Sequence, residues 1–174
     1  DNARVYWYFD GHNGNICKYN FADPHGVGED DHSDGRIHRY TDVVVTRKAN
    51  VPSHMALDRV NSWLYIVDGG TNRVIRMKTN TGTIGATLTV PSTASEPLAE
   101  YKTVTGATVE VLISSGITTP CGIDYRSGRL VVSDYATGNI YVYNVTTSTP
   151  TLVGTLITGG PGVMGVRVDN ENKI

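Results

Sequence analysis

The chain has 174 residues, with 15 Lys and Arg against 17 Asp and Glu and a formal net charge of -2. That is one ordinary domain's worth of chain, and the near-balanced charge without a Lys/Arg run excludes an electrostatic footprint for nucleic acid or an anionic membrane surface. No apolar run approaches the ~20 residues that a membrane-spanning helix needs.

The first predicted element is a strand over residues 5–9, "VYWYF", ended by Asp10. A turn centred on Asn13-Gly14, with His12 at its surface tip, joins it to "NICKYNF". An acidic, His-containing insertion follows over residues 22–36, and then a short strand, "VPSHMALD" (51–58). A second hairpin pairs "SWLYIVD" with "RVIRMKT" across "GGTN". A second insertion, 89–103, interrupts the pattern, and the alternating Val104, Val109, Val111 and Ile113 behind it predict an outer strand for this second repeat. A further short strand, "TPCGIDYR" (119–126), a third hairpin, "GRLVVSD" with "NIYVYNV", and a last short strand, "PGVMGVRVD" (161–169), complete the chain. His54, Gly122 and Gly165 align in the three short strands, where the two glycines mark a crowded position. Helix is expected to be nearly absent.

Aligned on the Asp that ends each apolar run, "RVYWYFD", "SWLYIVD" and "GRLVVSD" are copies of one unit. The unit reads as inner strand, middle hairpin and outer strand, which is a four-stranded antiparallel propeller blade. The stretch "SHMALDRVNSWLYIVDGGTNRVIRM", with its Pro entrance and "LYIVD" run, resembles the NHL-type repeat of six-bladed β-propellers, a superfamily that includes peptidyl-hydroxyglycine lyase. The resemblance covers nearly the whole chain and implies an all-β fold of about three blades. Pro52 to Pro120 spans 68 residues, more than the ~40–50 of common propeller repeats, and the excess is the second insertion. Both ends fall between an inner and a middle strand. A three-bladed ring is too small to close, so the ring is expected to be completed by further blades of a longer parent chain or by a second copy. The start on "DNARVYWYF", without an initiator Met, fits a processed, excised or partial product.

Asp10, Asp68 and Asp134 recur at the end of each middle strand, where a carboxylate can accept the amides of the following turn; recurrence favours architecture over chemistry. The densest constellation is "ADPHGVGEDDHSDGRIHRY" (22–40), with five carboxylates and three His, His38 among them, in nineteen residues. Asp30, His32 and Asp34 imitate the start of a calcium loop but place His at the middle ligand position. Three readings stand: a solvated acidic loop that caps its own turns, a calcium loop, or a zinc-type site using His25 and His32. His54 has the channel-lining position of an inner strand, and the resemblance to the lyase scaffold implies that channel histidines are where a metal would sit.

Cys17 and Cys121 lie in different repeats, which argues against a bridge between them. The sequon "NVT" makes Asn144 a glycosylation candidate beside "TTSTPT" and points to an extracellular, secreted chain. No G-x-S-x-G, phosphate loop or H-E-x-x-H occurs. The residues favour a binding or scaffold module for a protein or glycan ligand, with calcium as the candidate loop cation. The alternative is a metal-dependent propeller enzyme, a lyase or hydrolase, with a site at His54.

Overall fold

The computed structural model describes residues 4–23, 27–28, 31–90, 92, 94 and 97–169. Strands follow in chain order: β1 (Val5–Asp10), β2 (Asn15–Asn20), β3 (Arg36–Val44), β4 (Met55–Asp58), β5 (Trp63–Asp68), β6 (Arg73–Lys78), β7 (Thr83–Thr87), β8 (Glu100–Thr105), β9 (Val109–Ile113), β10 (Pro120–Arg126), β11 (Arg129–Asp134), β12 (Ile140–Asn144) and β13 (Thr151–Leu156). Helix among the described residues is confined to one 3-10 turn at Gly69–Thr71. The protein is all-β, as its alternating β-branched and aromatic runs predict. It divides into two compact units, residues 1–44 with 81–107 and residues 45–80 with 108–174.

The first unit holds one five-stranded sheet, ordered β1-β2-β3-β8-β7. β1 and β2 form the expected hairpin, with Tyr8 opposite Cys17 and Asp10 opposite Asn15. The connecting loop is wider than a two-residue turn centred on Asn13-Gly14. Gly14 closes it at φ 69°, donating its N–H to the Asp10 carbonyl at 2.8 Å. β3 and β8 pair in parallel, from Arg36 opposite Glu100 to Tyr40 opposite Val104. Parallel pairing needs a long crossover, and residues 45–99 supply one. Val104, expected in the outer strand of the second repeat, therefore lies in β8 of this sheet, because the β7–β8 hairpin takes it to the free edge of β3.

The second unit contains two four-stranded sheets, β4-β5-β6-β9 and β10-β11-β12-β13, with every neighbour antiparallel. The predicted middle strands are β5 and β11, and each pairs with the strand after its turn. Val109, Val111 and Ile113 sit in β9 and pair with β6, as the alternation predicts. Period-two alternation sends Tyr65 and Val67 of β5, and Leu130 and Val132 of β11, into one shared core with Ala56, Val74, Leu112, Ile123 and Tyr143. Full burial of each such side chain stabilises by roughly 1.5–3 kcal/mol. On the other face of β11, Val131 and Ile140 pack with Val168, and Val163 and Val166 lie against them.

Residues 161–169, read as a third inner strand, carry no strand pairing. A strand needs a ladder partner, and none is present for this segment among the described residues. Side chains hold it beside β10 instead: the Cys121 thiol donates to the Met164 carbonyl at 3.2 Å, and Asp124 Oδ2 accepts the Val168 N–H at 2.7 Å. Gly122 is the crowded glycine, since a Cβ there would meet the Gly165 Cα and the Met164 oxygen, each at 2.8 Å. Gly165 has open space on its own Cβ side, so crowding constrains only one of the two aligned glycines.

Candidate functional site

The recurring carboxylates share a position and differ in partners. Asp134, fully buried, accepts the backbone N–H of Thr118 at 2.6 Å, of Thr119 at 3.1 Å and of Ala136 at 3.0 Å. Asp68, also fully buried, accepts Thr46 N–H at 2.7 Å and pairs with Arg73 Nε at 2.8 Å. Both carboxylates thus grip the chain entering the first strand of their own sheet. Asp10 caps its own turn through His12 N–H (3.0 Å) and Asn13 N–H (3.2 Å), and pairs with Arg39 at 2.8 Å. Burial alone would raise the Asp10 carboxyl, but the Asn13 bonds and the Arg39 charge hold it below the ordinary value. His12 is an exposed tip residue, as read from the sequence.

His25 and Asp30 of the acidic insertion lie outside the described residues. Asp34 Oδ2 accepts the Asp23 N–H at 2.7 Å, and Asp31 Oδ1 accepts the Ser33 N–H at 2.9 Å. The His32 ring packs on Phe21, with centroids 5.2 Å apart. Among the described residues no group of three or more His, Cys, Asp and Glu is placed to hold a metal ion. His38 leaves the insertion altogether: on β3 it meets Glu100 of β8 at 2.5 Å, and Lys102 takes the other Glu100 oxygen at 2.7 Å. These two bonds pull the Glu100 carboxyl down to about 2.

His54 is exposed, and its backbone does the joining: its N–H donates to Cys121 O at 3.3 Å, and its carbonyl accepts Val67 N–H at 3.0 Å. Its imidazole has no hydrogen-bond or ionic partner among the described residues. Cys17 and Cys121 are free and buried. Burial raises both thiols, Cys121 to about 11, which makes them poor nucleophiles near neutral pH. Asn144 ends β12 and is exposed.

One concavity of the second unit uses none of the residues that sequence reading singled out. It is a groove of about 530 Å³ where the gap between the two sheets opens, lined by Asp58, Asn61, Trp63, Lys78, Tyr125 and Thr146 among others. The β5–β6 register places Trp63 opposite Lys78 and Tyr65 opposite Arg76. Both cations lie 4.3 Å from the Trp63 ring, a cation–π arrangement, and Arg76 is tied to Glu110 at 2.6 Å. Tyr65 stacks on Tyr125 of the facing sheet, with centroids 5.1 Å apart and planes at 27°. Burial, then the neighbouring Tyr125 and Asp58, push the Tyr65 phenol up to about 12. Asp58 accepts Val60 N–H, Asn61 N–H and Asn61 Nδ2 at 3.0, 3.1 and 2.8 Å, and the Tyr125 hydroxyl also bonds to it. Although its burial acts the other way, these donors keep the Asp58 carboxyl below its ordinary value.

The groove thus combines aromatic rings, two cations held on the Trp63 ring, and the hydrogen-bonding groups of Asp58 and Asn61. The Trp63–Lys78 and Tyr65–Arg76 pairs were accessible by folding the second hairpin on its turn. The Tyr65–Tyr125 stack was not, since it joins two different sheets. No protein-family model, no curated protein and no solved structure matches this chain.

Proposed function

We propose that this chain is part of a secreted, NHL-like β-propeller that acts as a binding or scaffold module. The observation that supports this reading is the repeated wiring of the second unit. Two four-stranded sheets, each ordered along the chain from first to last strand apart from the β7–β8 excursion, share one apolar core. Their carboxylates at equivalent positions, Asp68 and Asp134, each accept a backbone N–H from the chain that precedes the first strand of their own sheet. A propeller needs about four to eight such sheets, so further blades of a parent chain or of a second copy complete the ring. The groove beside Trp63 and Tyr125 is the binding surface, and a glycan or protein segment its ligand.

Ligand titration of a Trp7→Phe variant tests this, because Trp63 is then the single tryptophan. Oligosaccharide and peptide panels serve as ligands. A saturable change in Trp63 emission that Lys78→Ala weakens, with the ligand recovered unaltered, supports a binding module. Conversion of the ligand to product, or saturable binding that ignores both Lys78→Ala and Tyr125→Ala, places the function elsewhere.

A further inference from the structure

The sequon at 144–146 has a geometry beyond its bare motif. Asn144 is exposed at the end of β12, while the next residue, Val145, is anchored in the shared core at 6% exposure. The Asn144 amide oxygen accepts the Thr146 N–H at 3.0 Å and the Thr146 hydroxyl at 2.7 Å. This Asx-type turn fixes the side chain on its oxygen. The amide nitrogen, Nδ2, has no partner among the described residues and is left to solvent. Beside it is a hollow of about 160 Å³, lined by Ser127, Gly128, Arg129, Asn144, Thr146 and Val153. Val153 is 56% exposed there, an apolar surface on an outer strand that none of the described residues covers fully.

We infer that Asn144 carries an N-linked glycan whose first sugar rests in this hollow, against Val153 and within reach of Arg129 and Ser127. In the attachment step, Nδ2 forms a bond to the anomeric carbon of an oligosaccharide supplied on a polyprenyl diphosphate carrier. The anomeric carbon–diphosphate bond breaks, the carrier diphosphate leaves, and a base of the transferring enzyme takes the proton lost from Nδ2. The seat orders the first sugar and shields the β13 edge at Val153.

The inference rests on the secreted reading above but not on the groove, so the two fail separately. The chain is produced behind a cleavable leader in a eukaryotic secretory cell, and the folded, secreted product is measured by intact and peptide mass. Glycan mass at Asn144, removed by an amidase that leaves Asp behind, is the expected result. Asn144→Gln and Thr146→Ala should abolish it, and Thr146→Ser should retain it. A secreted, folded chain without glycan at Asn144 overturns attachment. Seating is read by melting: trimming to a single sugar should leave the melting temperature unchanged, and removing that last sugar should lower it by about 2–4 °C. A melting temperature indifferent to the last sugar overturns the seat.

Discussion

Asp134 holds the N–H of Thr118 at 2.6 Å, so a carboxylate at the end of a middle strand fixes the chain that enters the strand before it. The same carboxylate also takes Thr119 and Ala136, which makes it a three-amide anchor with no exposed surface. Asp134→Ala strands the buried Thr119 N–H and removes two further amide bonds, which should cost about 1–3 kcal/mol, whereas Asp134→Asn, which keeps one acceptor oxygen, should cost less. Urea denaturation of the two variants checks the order. Equal stability of Asp134→Ala and the parent would remove the anchor from the account.

Glu100 is expected to make the first unit sensitive to acid. Its folded pKa, about 2, is depressed from an ordinary 4.5 by the bonds from Lys102 and His38. A depressed carboxylate contributes stability that is complete above its unfolded value and is lost as pH falls through its folded value. The contribution should therefore fade between about pH 4.5 and 2, and Glu100→Gln should flatten the pH dependence of unfolding in that window. Parallel curves for parent and variant would show that this cluster does not couple to folding.

The acidic insertion separates capping from cation binding. Asp34 caps the Asp23 N–H at 2.7 Å, so Asp34→Ala should lower stability by about 1 kcal/mol. If the loop serves only its own turns, that loss is the same in calcium and in chelator. A parent melting temperature that falls on chelation, with the fall abolished in Asp34→Asn, would instead establish the calcium loop that the pattern imitates.

Both thiols are buried and raised, Cys121 to about 11. A colorimetric disulfide reagent at pH 8 should therefore find almost no reactive thiol in the native chain and two in denaturant. Prompt native labelling of Cys121 would mean that the Met164 segment opens readily from β10.

Alternation is a local property, and what it controls was legible. "VYWYF", "WLYIV" and "RLVVS" each carry enough β-branched and aromatic residues to become strands wherever they pack, and the turns between them set their hairpin registers. The recurrence of Asp10, Asp68 and Asp134 was equally visible, but the expected capping of the following turn is made by Asp10 and Asp134 and not by Asp68. Their partners were not visible: Thr46 precedes Asp68 by a whole strand and two loops, and hydrogen bonding at that separation has no sequence period.

Pairing between distant strands was settled only in three dimensions. Val104 belongs to the same alternating run as Val109, Val111 and Ile113, yet β8 joins β3 while β9 joins β6. A period of two states which side chains share a face, not which edge receives the strand. The groove arose for the same reason, since Trp63 and Tyr125 are unremarkable strand aromatics until two sheets face each other and Tyr65 stacks on Tyr125. His54 shows the opposite limit: the sequence run placed it within a strand over 51–58, whereas β4 begins at Met55, and only the fold decided that its backbone, rather than its ring, makes the contacts.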